Sequence, residues 1–167
     1  MSSEIINRVD QAGLLTLDLS SLALPGKRIS IDMVDWLDEN MIIREHSFKK
    51  RLSSFNWDRM RGCFVAIYSS KDIIVPPWAY LLIQTKLHNI AKQVFFSDLD
   101  TMNTLLFRRG LENMDISIYK NKRVFLKICS NKALPLCAIS LCAHMLMPHV
   151  KSLFYGEPCS GVPLIKN

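Results

Sequence analysis

The side chains best suited to chemistry are concentrated in Lys151 to Pro163, KSLFYGEPCSGVP, where an apolar run stops at an acid, Glu157, and a thiol, Cys159, with Ser160 behind them. A nucleophilic cysteine needs its pKa lowered by a helix N-terminus, a histidine or another cation. Glu157 two residues away acts in the opposite direction. Of the four histidines, His88 and His149 fall near the ends of predicted helices and His144 in mid-helix, leaving His46 as the one whose placement is open. Glu157 is followed by Pro158, and no helix-length segment remains for it to cap. It reads either as a ligand-binding group or as a turn residue partnered by a lysine.

Further acids and small polar residues follow other apolar runs: Asp32 and Asp35, Ser69 and Ser70, Asp98 and Asp100, Cys129 and Ser130. Converging carboxylates could hold a hard cation such as Mg²⁺. Asp98 and Asp100 read at least as well as N-caps of the helix that follows, since an acid at a strand-to-helix turn is a preferred cap. A zinc site from Cys129, Cys159 and Glu157 lacks any recognised ligand spacing. The turns Ser69-Ser70 and Ser130-Asn131 precede helix starts at Pro76 and Pro135 and could offer backbone donors to an anion. The chain has no GxGxxG, Walker sequence or GxSxG elbow, and no cofactor is assigned.

The elements that position these residues follow from periodicity. Leu14 to Leu19 and Lys27 to Asp32 alternate as strands, Cys63 to Tyr68 is a strand buried on both faces, and Val94 to Phe96 is another. Ser47 is the expected cap of a helix presenting Phe48, Leu52 and Phe55; Trp78 to Ile90 and Pro135 to His149 are helices opened by proline. At a constant offset of 59, Phe48, Leu52, Val65, Pro76, Ala79, Leu82, Leu87, Lys92 and Phe95 fall on the same residue types at Phe107, Leu111, Val124, Pro135, Ala138, Leu141, Leu146, Lys151 and Phe154. This predicts an internal repeat, 48–98 and 107–157, within a single domain of residues 1–167. Three strands share a template that begins with lysine, at Lys27, Lys92 and Lys151, with Asp35, Asp100 and Cys159 eight residues after each lysine.

Two tandem helix-strand-helix-strand repeats predict an α/β fold, a three-layer sandwich around a mainly parallel sheet. Ligands of such sheets bind outside the carboxyl ends of the strands. The candidate ligand-binding set at that edge is Asp32, Asp35, Ser69, Ser70, Asp98, Cys129, Ser130, Glu157, Cys159 and Ser160.

Nearly half of the 167 residues are apolar and 22% are charged, an ordinary globular balance. No apolar run is long enough to cross a membrane, and the first residues lack the apolar core of a signal peptide. Five cysteines without a Cys-x-x-Cys pair fit reduced thiols and a cytoplasmic location. The net charge of +6 gathers at Lys49, Lys50 and Arg51 and at Arg108 and Arg109. These clusters are short and have no interleaved aromatics, so solvated helix faces are expected there rather than nucleic-acid binding. The segment from Pro135 to His149, PLCAISLCAHMLMPH, has few polar side chains, which predicts a homodimer through that helix.

Asp35-Trp36-Leu37, Val75-Pro76 with Trp78-Ala79-Tyr80, the Asp98 turn, and above all Tyr155-Gly156-Glu157-Pro158-Cys159-Ser160 with Val162-Pro163-Leu164 give the chain a resemblance to a family. It resembles, over nearly its whole length, a family of uncharacterised bacterial proteins known as a domain of unknown function. That resemblance implies no activity. The functional expectation is an uncharacterised α/β domain that dimerises and binds a small anionic or metal-bound ligand at the carboxyl edge. The alternatives are a divalent-cation-dependent hydrolase or transferase using Glu157 and Asp98, and a nucleic-acid binder using the basic helix faces.

Overall fold

The computed structural model describes residues 13–39, 41–128 and 134–167. The chain has an α/β fold of helices and mainly parallel strands. It divides into two compact units: one spans 25–103, and the other combines 1–24 with 104–167.

The unit of 25–103 runs β2 (Arg28–Asp32), the 3-10 turn η2 (Met33–Trp36), α1 (Glu45–Ser54), η3 (Trp57–Met60), β3 (Phe64–Tyr68), α2 (Pro77–Leu87) and β4 (Gln93–Phe95). Its sheet has the order β2-β3-β4, parallel throughout. The FVAIY run of β3 takes the centre, with a sheet neighbour on each side and Phe64 to Ile67 all buried, an environment that calls for an unbroken apolar run. Val65 and Ile67 of β3 join Phe48 and Leu52 of α1, Ala79, Ile83 and Leu87 of α2, and Trp36 and Trp57 in one buried core. Trp36 lies 5.2 Å from the Phe55 ring and 5.8 Å from Trp57, centroid to centroid.

The second unit contains β1 (Leu14–Asp18) and η1 (Leu19–Leu22), and resumes at Thr104 within α3 (Leu99–Glu112), followed by η4 (Ile116–Tyr119), β5 (Arg123–Lys127), α4 (Leu136–Leu146), β6 (Ser152–Tyr155) and β7 (Val162–Lys166). Its sheet has the order β1-β5-β6-β7, the first three parallel and β7 antiparallel to β6. Val124 and Leu126 of β5 pack with Phe107 and Leu111 of α3, Ala138, Cys142 and Leu146 of α4, and Leu153 of β6. Burial pushes the Cys142 thiol up to about 12.

Several expectations change. The strands form two sheets, of three and four strands, where one was expected. β3 is the inner strand of one and β5 and β6 are the inner strands of the other, so the hydrogen-bonded ladders close separately. Ser47 does not cap α1: the cap position is Arg44, and the Ser47 hydroxyl, inside the first turn, donates to Asp38 Oδ2 at 2.6 Å. The strands after Lys27 and Lys92 share a sequence template but flank β3 on opposite sides, so they are not equivalent in the fold. Strand β7 was not foreseen. Proline at its second position is tolerated because β7 ends the order of its sheet, where a missing donor breaks no ladder.

Candidate functional site

The expected site residues divide between the two units. Asp32, Asp35, Ser69, Ser70 and Asp98 belong to the unit of 25–103, while Glu157, Cys159 and Ser160 belong to the other. Cys129 and Ser130 lie outside the described residues.

Asp32 ends β2, and its Oδ1 accepts from Val34 N at 3.0 Å and from Ser70 N at 3.1 Å. The carboxylate thus caps η2 and ties the exit of β2 to the exit of β3. Partial burial raises its pKa, but the Ser70 and Val34 hydrogen bonds and the charge of Lys71 outweigh that and hold it below the ordinary value. The Ser69 hydroxyl is spent on Lys71 O within the same loop, at 2.7 Å. Asp98 accepts from Thr101 N at 2.7 Å and caps α3, with its pKa lowered by that bond and by the Thr101 hydroxyl. Asp100 lies in the first turn of α3, where a negative charge complements the helix dipole.

In the other unit, GEPCSG is the turn between β6 and β7. Ser160 N donates to Glu157 O at 3.0 Å, with Pro158 at the second position of the four-residue turn, where its fixed φ is already correct. Gly156 adopts φ +112, and a Cβ on Gly161 would sit 2.7 Å from the Phe125 ring, so both glycines are required by the backbone path. Glu157 Oε1 lies 3.4 Å from Lys127 Nζ, the lysine-partnered turn residue that was one of its two readings. Cys159 is exposed, with its sulfur 4.0 Å from the Ser160 hydroxyl. The two carboxylates of the hydrolase alternative, Glu157 and Asp98, are therefore each engaged locally. Among the described residues, no group of three or more His, Cys, Asp or Glu is placed to hold a metal ion.

The basic helix faces are also occupied. Lys49 pairs with Glu45 at 2.5 Å and Arg108 with Glu112 at 2.9 Å, while Arg51 donates to the carbonyls of Asp35 and Leu37 at 3.3 and 3.1 Å. On α4, Ile139, Leu141, Ala143 and Met145, with Met147 just after it, are partly buried against the core of their own unit. The exposed positions are Leu136, Cys137, Ser140 and His144, so less apolar surface is free than the sequence suggested.

What the residue types alone did not single out is a cleft of about 430 Å³ beside β2, lined by Trp36, Phe55, Arg51, Arg59, Asp35 and Ser30 among others. It runs along the strand instead of lying at its carboxyl tip. Trp36 is nearly buried and Phe55 half-buried, which makes an apolar wall. Arg59 is exposed and has no hydrogen-bonding or ionic partner among the described residues. A signal for it existed: 59 residues after Arg51 and Arg59 stand Gly110 and Ile118.

Those positions are built differently. In the second unit a Cβ on Gly110 would overlap the carbonyl oxygen of Leu22, the last residue of η1, so α3 rests directly on that turn. At the end of η2, the long Arg51 side chain spans from α1 to the carbonyls beside Trp36. No helix among the described residues is long and apolar enough to cross a membrane. The chain matches, over residues 3–167, the model of a family described as Protein of unknown function (DUF2480). No curated protein and no solved structure matches it.

Proposed function

The chain belongs to the DUF2480 family, and we propose that it is an internally duplicated α/β protein whose unit of 25–103 binds a small acidic ligand with a planar or apolar body in the cleft beside β2. The observation that carries this reading is the cleft itself, which sets the unpartnered guanidinium of Arg59 against the aromatic wall of Trp36 and Phe55. Arginine recognises carboxylate and phosphate through paired donors, and aromatic faces accept planar groups. Asp35 on the rim selects against a bare polyanion and favours a ligand that also carries a hydroxyl or amine.

Support for the duplication comes from element bounds. The pairs η3/η4, β3/β5 and α2/α4 each start and end 59 residues apart, and β1-η1 precedes β2-η2 by 14 residues. The repeat is then nested more than tandem, with the unit of 25–103 lying between η1 and the rest of its own unit. Phe48/Phe107, Leu52/Leu111, Val65/Val124 and Ala79/Ala138 are all buried. On this reading Gly110 closes in one copy the space that Arg51 keeps open in the other.

Trp36 provides the assay. Titration with inorganic phosphate, a nucleoside monophosphate and an aryl carboxylate should change tryptophan emission saturably for a ligand with both an anion and a ring. Arg59→Gln should weaken that binding about tenfold, equivalent to about 1.4 kcal/mol. Saturable binding unaffected by Arg59→Gln, or no response to any of the three, refutes the site.

A homodimer through α4 is the second reading, favoured by Leu136, which is 83% exposed in the first turn. A dimer mass by light scattering that Leu136→Glu reduces to a monomer supports it; a wild-type monomer at micromolar concentration ends it.

A further inference from the structure

We propose that the amino-terminal edge of the four-stranded sheet is a contact surface for the phosphate backbone of double-stranded nucleic acid. Lys120, Lys122, Arg123, Lys151 and Lys166 meet there. Arg123, Ser152 and Lys166 occupy one rung across β5, β6 and β7, and Lys151 N donates to Lys122 O at 2.8 Å. Lys120 closes η4 one turn away. All five side chains are exposed, and none has an ionic or hydrogen-bonding partner among the described residues. The nearest acids in sequence are engaged elsewhere, Glu112 with Arg108 and Asp115 with the N–H and hydroxyl of Ser117.

Helix C-termini open at this edge, and cations near them are favourable for folding alone. The three-stranded sheet provides an internal control for that explanation. At its amino edge Lys92 donates to Pro25 O at 3.2 Å and lies 4.8 Å from the Phe64 ring. Arg28 donates to Gly26 O and lies 5.5 Å from the same ring, and Arg61 pairs with Asp58. Three cations there are held internally, while Lys27, just before Arg28, is exposed. The four-stranded sheet starts β5 with Arg123 where the other starts β3 with Phe64, so the ring that would hold Lys151 is replaced by a further positive charge.

The backbone beneath the five cations is tied together by hydrogen bonds. Asn121 N donates to His149 O at 2.9 Å, and Asn167 holds Met147 O and Val150 O through its side chain at 2.9 and 3.0 Å. Long cationic side chains rooted on adjacent strands can each reach a phosphate oxygen. Tyr119 at this edge is buried, so among the described residues there no exposed Phe, Tyr or Trp is offered for base stacking, which favours a duplex backbone over a single strand. An anionic membrane surface is less suited, because binding there also draws on an exposed Trp, Phe or Leu face.

The test is anisotropy of a short labelled DNA duplex with the full chain across a KCl series. Neutralising four or five phosphates predicts a log–log salt slope of about −4. The triple variant Lys122→Gln/Lys151→Gln/Lys166→Gln should reduce the magnitude of that slope by about 3 with an unchanged circular dichroism spectrum. Lys49→Gln/Lys50→Gln should leave it unchanged. The proposal is overturned by no binding at low salt, by a slope that the triple variant does not alter, or by binding to phosphatidylserine vesicles without binding to the duplex.

Discussion

Replacing Gly110 by alanine tests the close approach of α3 to Leu22, and the two physical effects involved have opposite signs. Gly110 lies in the last turns of α3 with no positive φ recorded. On helix propensity alone, alanine should stabilise by about 1 kcal/mol. The structure predicts the reverse, because the new Cβ would fall on the Leu22 carbonyl, with the Leu22 carbonyl carbon at 2.9 Å. The obstacle is backbone, so no side-chain rotation relieves it, and α3 or η1 must move. Overpacking of this kind costs about 1–3 kcal/mol, and the upper part of that range outweighs the propensity gain, leaving a net loss of about 1–2 kcal/mol. In a chain of this length that is a fall in Tm of roughly 2–8 °C. Thermal unfolding followed by circular dichroism measures it directly. A Tm that stays level or rises would refute the contact, and with it the argument that Gly110 closes the space Arg51 leaves open.

Three further outcomes follow from described geometry. Asp32 has a depressed folded pKa, so its contribution is present above the ordinary aspartate value of 3.8 and is lost as pH falls through the lower folded value. Asp32→Asn should therefore narrow the stability difference between neutral and acid pH in chemical denaturation, by less than about 1 kcal/mol because the group is largely exposed; an unchanged profile contradicts the assignment. With iodoacetamide at mildly alkaline pH, peptide mapping should find Cys137 and Cys159 labelled in the native protein and Cys63 and Cys142 labelled only after unfolding. Gly161→Ala places a methyl 2.7 Å from the Phe125 ring, which stacks on Phe154 at 4.6 Å, and should speed amide exchange along β7; unchanged protection there is the contrary result.

The parts of the fold that were legible in the sequence are those where burial dictates composition. The run FVAIY became β3, β5 lies where the offset of 59 carries Val65 to Val124, and prolines at 76 and 135 stood just ahead of α2 and α4 as expected. Asp98 acts as the cap that its position suggested. The division into two sheets was not legible, because a short parallel strand looks the same whichever neighbour it pairs with. β2 and β4 illustrate this: they share the Lys-led template yet flank β3 on opposite sides. β7 was hidden behind the residues that looked most reactive. Glu157, Pro158 and Cys159 drew attention as chemistry, whereas Gly156, Pro158 and Gly161 make the turn that brings β7 back along β6. Of the cleft's charged residues, Asp32 and Asp35 stood among the expected site residues, whereas Arg51 and Arg59 are distinctive only by comparison with Gly110 and Ile118.

The placement of the unit of 25–103 between η1 and α3 has a consequence for synthesis. That unit is complete, with all its sheet partners, once residue 103 has left the ribosome, and its pairings are local enough to form early. β1 is made before β2, β3 and β4 but pairs with β5, Leu14 opposite Arg123, so its hydrogen bonds must wait until residues 123–127 are made. It is therefore ordered after strands that follow it in the sequence, and during that interval it is an unpaired apolar segment, LLTLD. Pulse-labelled hydrogen exchange during refolding should show protection in β2, β3 and β4 before β1.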